Sequence, residues 1–208
     1  MGVGPIETIL SFGKLTGLTE MMHTTAIHFD SSFEMNGFAW VTNCWEVSLP
    51  DGAYGATVQS VGRYSGITDW LDEVRRRWPD VQVITQGEFG LLWRKHYKEN
   101  NFNYRFIEQK GSGIGGSDAN RSIRWFMNKH FRLALLRDWQ RGSQEQVIDF
   151  TRYDIKAQEP QILTRQWSLM GDINQKQTRP QDKPVPLKNL PEASLQIIQR
   201  EYPYLFNP

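Results

Sequence analysis

The spacing of apolar residues along this chain changes near its middle. "PIETILSF" (5–12) is a short apolar run bounded by Gly4 and Gly13, and it predicts a buried strand. "HTTAIHF" (23–29) and "FAWVTNCWEV" (38–47), rich in β-branched and aromatic residues, predict a second and a third. Over 66–80 the period switches, and Ile67, Trp70, Leu71, Val74 and Trp78 recur at helical spacing. Asp69, Asp72 and Glu73 come early in that helix and Arg75, Arg76 and Arg77 late, which complements its dipole; Pro79 stops it. "VQVIT" (81–85) predicts a strand, 88–100 a helix with Phe89, Leu92, Trp93 and Tyr97 down one side, and "YRFIEQ" (104–109) a last strand. Strands alternating with helices predict a parallel sheet, open or wound into a barrel.

Beyond "KGSGIGGSDAN" (110–120) the apolar residues fall on odd positions: Ile123, Trp125, Met127, then Phe131, Leu133 and Leu135. That period of two predicts two antiparallel strands with a turn near Asn128-Lys129. "QVIDFTRYDI" (146–155) and "RQWSLMGDI" (165–173) predict further strands. The four prolines of 179–191 predict an extended strap. A short helix is expected after Pro191, with Leu195 and Ile198 facing inward. The change of pattern places a boundary near residue 118, with an α/β portion over 1–118 and a β-rich portion with strap and terminal helix over 119–208.

Composition narrows the function. Lys and Arg number 24 against 23 Asp and Glu, a net charge of +1, which argues against a nucleic-acid partner. No run of apolar residues is long enough to span a membrane. The N-terminus lacks the basic region of a signal peptide, and Ile6 stands where a myristoylation signal needs Ser or Thr. The one cysteine, Cys44, allows neither an internal disulfide nor a multi-cysteine metal site. The 8 Trp residues stand out, because Trp offers sugar rings a flat apolar platform as well as filling cores.

The candidate chemistry sits at predicted strand ends, where parallel α/β folds bind ligands. In "HTTAIHFD" (23–30), His23 and His28 are five apart, a spacing that joins them on neither a helix face nor a strand face. His28 and Asp30 are two apart and would share a strand face as a proton-transfer pair. The third strand ends in Asn43, Trp45 and Glu46, and the fourth in Gln86 and Glu88. Carboxylates from separate strand ends can act as acid and base in glycoside hydrolysis. Glu88 equally suits the first turn of a helix. Gly111, Gly113 and Gly116 match G-x-G-x-x-G, but the helix that would hold a pyrophosphate does not follow.

The runs "MGVGPIETI", "EMMHTTAIHFD", "FAWVTNCWEVSL" and "VQVITQGEFGLLWRKHY" together resemble an uncharacterised exported bacterial family. Its members pair a glycoside hydrolase/deacetylase-type (β/α) barrel with a small β-rich C-terminal domain, and the stretch from "IRWFMNKHFRLALLRDW" to the strap resembles that second domain. The resemblance implies that 1–118 is the C-terminal portion of a seven-stranded (β/α) barrel, followed by a small antiparallel β-rich domain. It implies that an N-terminal barrel half is missing if the chain is a fragment, and that the protein is periplasmic or secreted. The implied partner is a carbohydrate, and the implied reaction is hydrolysis of a glycosidic or ester/amide bond on a polysaccharide. In that reading His28, Asp30, Glu46 and Glu88 are the catalytic candidates, and Asn43, Trp45 and Gln86 bind substrate. The alternative is a non-catalytic carbohydrate-binding or structural protein on the same fold. Deacetylases of this kind hold a divalent metal with an Asp and two His four apart; the spacing here does not support one, and no metal ligand is assigned.

Overall fold

Helix, not strand, is what "HTTAIHFD" adopts. The structure, a computed structural model, describes residues 12–41, 63–108, 110–114, 118–142, 144–154 and 184–206. The chain divides into two units, Met1–His96 with Gln109–Ala119, and Tyr97–Glu108 with Asn120–Pro208.

In the first unit, α1 (Lys14–Ala26) runs without a break into a π-helical turn (Ile27–Ser32) and then α2 (Phe33–Asn36). Gly37, at φ 73°, ends this run in the left-handed conformation that glycine tolerates best. The β-branched Thr24, Thr25 and Ile27 suggested a strand. Within the helix, however, the Thr24 and Thr25 hydroxyls donate back to the carbonyls of Glu20 and Met21, at 3.1 and 2.7 Å. The buried Thr25 hydroxyl also accepts the indole N–H of Trp70 at 3.0 Å, tying α1 to α3 (Arg63–Arg77). Among the described side chains of α3, Trp70 and Val74 are buried, four apart as their spacing required. Residues 81–85 join no sheet and lead directly into α4 (Gln86–Tyr97).

The expectation of a (β/α) barrel portion over 1–118 is therefore corrected. Among the described residues of that stretch the strand is β1 (Tyr104–Glu108), and it pairs antiparallel. All described strands form one open sheet of order β1-β2-β3-β4-β5, with no closed barrel. The misreading has a physical source: a short apolar run has the same local pattern in a buried strand and in a helix. Of the other predicted strands, 5–11, 42–47 and 165–173 lie outside the described residues.

The second unit adds β2 (Arg121–Met127), β3 (Phe131–Asp138), β4 (Gln146–Arg152) and β5 (Val185–Pro186), each antiparallel to its neighbour. The β2–β3 turn is held by Asn128, whose Oδ1 accepts the backbone N–H of His130 and Phe131 at 2.8 and 3.0 Å. Alternation splits the sheet into two apolar faces. Phe126, Phe131, Leu133, Leu135, Val147 and Phe150 pack under Leu190 and α5 (Glu192–Glu201), with Ile198 fully buried among them. Ala134, Leu136 and Ile148 cluster with Ile123 and Trp125 on the other face. A register shift between Ala134 and Leu135 lets Val147 and Phe150, three apart, serve the same side.

Tyr202 closes the first face. Its ring meets Phe126 edge-on at 5.1 Å, and its hydroxyl donates to the carbonyls of Tyr104 and Met127, at 3.2 and 3.0 Å. Those two residues are register partners in β1 and β2. Burial raises the phenol's pKa above its ordinary value, so it stays a donor. Tyr202→Phe should cost about 1 kcal/mol, the worth of the hydrogen bond, and Tyr202→Ala about 3–5 kcal/mol. Urea denaturation of the two variants checks this; a Tyr202→Phe variant as stable as the wild type would show that the hydroxyl contributes nothing.

Candidate functional site

Asp30 lies in the π-helical turn after α1, and each oxygen of its carboxylate accepts a donor from the end of α3. One oxygen accepts the Trp78 indole N–H at 2.7 Å and the other accepts Arg77 Nη2–H at 2.7 Å. The Arg77 guanidinium lies over the Trp78 ring at 4.7 Å, and Phe29 meets that ring edge-on at 5.2 Å. The ion pair itself is half exposed and worth little in water, so the indole hydrogen bond and ring contacts carry most of the contact.

His28 does not join Asp30. On a strand residues two apart share a face, but on a helix they project about 160–200° apart, to opposite sides. The pairing expected from a strand is thus lost with the strand. His28 is partly buried, and that burial lowers its pKa below the ordinary 6.5. His23, on α1, is exposed. Among the described residues no group of three His, Cys, Asp or Glu side chains is gathered as a metal would need.

Glu88 and Thr85 form a reciprocal cap at the start of α4. Glu88 Oε2 accepts the Thr85 backbone N–H at 2.7 Å and its hydroxyl at 2.9 Å, while Glu88 N–H donates to Thr85 Oγ1 at 3.2 Å. These bonds lower the Glu88 pKa below the usual carboxylate value. The "TQGE" spacing is the capping-box signature, which the sequence displayed in full. Gln86 is exposed on the first turn of α4. Asn43, Trp45 and Glu46 lie outside the described residues.

What the sequence did not single out is a cluster of four aromatic rings. Phe38 and Trp40 stack at 5.7 Å with planes 7° apart, and Trp40 meets Trp93 and Phe89 of α4 at 5.7 and 5.6 Å. Phe89 and Trp93 are four apart on one face of α4, and none of the four rings is fully buried. The signal was there in pieces: two aromatics two apart in an extended run, and two at helical spacing. Only folding brings the pieces together.

Residues 1–127 match the family model of a domain of unknown function with a solved structure, DUF3863, and residues 132–205 match another of the same description, DUF3864. The chain belongs to the DUF3863 family. This DUF3863 chain is also similar to a crystal structure of a protein from Parabacteroides distasonis provisionally named a glycoside hydrolase/deacetylase. The two share 47% identity with a TM-score of 0.81, over 99% of this chain and 48% of that one. The chain thus spans about half the length of that protein. No curated protein matches it. Among the described residues, no helix is long and apolar enough to cross a membrane.

Two outcomes follow from the geometry. Glu88→Ala should lower the melting temperature through loss of the cap, and Glu88→Gln by less, since an amide still accepts the Thr85 N–H. Thermal melts of the two variants check this, and a Glu88→Ala melt unchanged from the wild type would remove the cap's role. His28 should make folding pH-dependent. Its lowered pKa means the unfolded chain binds the proton more readily, so stability present above the ordinary value of 6.5 is lost as pH falls toward the folded value. His28→Gln should flatten the stability profile between about pH 7 and pH 5, measured by denaturation at each pH.

Proposed function

We propose that this chain is part of a carbohydrate-active protein, and that the Phe38–Trp40–Phe89–Trp93 cluster is where it engages a glycan. The observation that carries the carbohydrate reading is the 47% identity, over nearly all of this chain, to a protein named for glycoside hydrolase/deacetylase chemistry. The ring cluster supports the location, since aromatic faces with partial exposure stack against the apolar faces of sugar rings. The reaction proposed for the whole protein is hydrolysis of a glycosidic or ester/amide bond on a polysaccharide.

A second reading, glycan binding without catalysis, is favoured by a specific observation. A general acid or base must be able to reach its substrate. The Asp30 carboxylate is held by Arg77 and Trp78, and that of Glu88 by Thr85. Of the carboxylates proposed for catalysis, that leaves Glu46 to supply the chemistry.

Two assays on the same variants separate these readings. Retention on insoluble polysaccharides should fall at least tenfold in Trp40→Ala and Trp93→Ala without loss of the cooperative melt. Release of reducing sugar or acetate should vanish in Glu46→Gln if the protein is a hydrolase, with retention unchanged. Binding that persists in both Trp variants would overturn the location. Absence of binding to any polysaccharide or oligosaccharide would overturn the carbohydrate reading.

A further inference from the structure

Apolar exposure is shared unevenly between the two units. Among the described residues every exposed Leu, Ile, Val and Phe belongs to the first unit. The large side chains exposed in the second are Trp139, Tyr153 and Tyr204, whose polar ends can meet water. Single exposed apolar residues are ordinary, but their concentration along one stretch marks a surface that meets another.

Such a stretch is 83–92, where Val83 is 65% exposed, Ile84 39%, Leu91 66% and Leu92 41%. The first two lie on the run into α4 and the other two on α4 itself. Among the described residues α1, α3 and α5 each bury side chains, whereas α4 buries none. A helix of 12 residues with glycine at 87 and 90 gains little from its own backbone and needs packing to persist. Phe89 and Trp93, against Trp40, supply packing on one side. Leu91 is two residues from each of those rings, so it projects about 160° away from them, to the opposite side. Leu92 lies on the flank between. Apolar residues on opposite sides are the pattern of a helix held between two layers.

The inner layer is the aromatic cluster of this chain. For the outer layer the Parabacteroides distasonis protein is informative. Its match to this chain takes up 48% of its length, so it carries about as much polypeptide again outside the match. The two share the fold over 99% of this chain, and the counterpart of α4 therefore belongs to a body about twice as large. Larger bodies bury a larger fraction of their apolar surface. We infer that the outer face of α4, with Val83 and Ile84, docks an apolar surface of polypeptide equivalent to that unmatched half. Docking there leaves the Trp40–Trp93 side of α4 uncovered, so the inference is independent of glycan binding.

Thiol labelling tests this on both proteins intact. Leu91→Cys in this chain, and a cysteine at the matching position of the Parabacteroides distasonis protein, are each treated with a maleimide. The peptide carrying that cysteine is followed by mass spectrometry. Under native conditions the site in the longer protein should react roughly tenfold more slowly, or less, and in urea the two rates should converge. A second readout is stability. Leu91→Glu should leave the melting temperature of this chain unchanged, because the side chain is exposed, and glutamate at the matching position should lower that of the longer protein. Equal native labelling rates, or a melt unchanged in the longer protein, would overturn the docking. Protection of position 91 in this chain alone, growing with its concentration, would assign the face to a second copy and overturn the occupant.

Discussion

Burial of one sheet face under the chain's C-terminal end is the constraint on which the second unit depends. An open antiparallel sheet needs a cover for its apolar face. Leu190, Ile198 and Tyr202 supply it against Phe126, Phe131, Leu133, Leu135, Val147 and Phe150. Tyr202 adds a directional element to what is otherwise non-directional burial. Its hydroxyl reaches the paired ends of β1 and β2 and ties the end of the last helix to them.

The first unit is organised by polar contacts that ordinary patterning would place at a surface. Thr25 is buried and bonds Trp70; Lys14 pairs with Asp69; Asp30 takes both Arg77 and the Trp78 indole. Each ties the long helical run of 14–36 to α3. These are short-range, directional contacts, and each consumes a group that would otherwise be free for chemistry. Asp30 illustrates the competition: a carboxylate that accepts two strong donors within the protein is better suited to holding elements than to exchanging protons with a substrate.

That competition bears on how sites are read from sequence. Residue types suited to catalysis are also the ones that cap helices and join elements, and spacing alone separates the roles only in part. For Glu88 the spacing held the answer, because Thr85 three residues before it completes a local motif, although Glu88 also stood among the catalytic candidates. For Asp30 it did not, because Arg77 and Trp78 lie 47 and 48 residues away. The aromatic cluster was likewise invisible, since it joins an extended stretch to a helix about 50 residues on.

Period and end signals by themselves determined a helix within 66–80, found at Arg63–Arg77, a helix within 88–100, found at Gln86–Tyr97, the alternating strands around Asn128 and the helix after Pro191. In each of these the apolar spacing extended over enough residues, or the turn chemistry was specific enough, to exclude the other conformation. Tertiary structure decided "HTTAIHFD". Its β-branched residues favour a strand locally, and its threonine hydroxyls can equally bond back along a helix. The buried contact between Thr25 and Trp70 settles the choice, and with it which way His28 and Asp30 face.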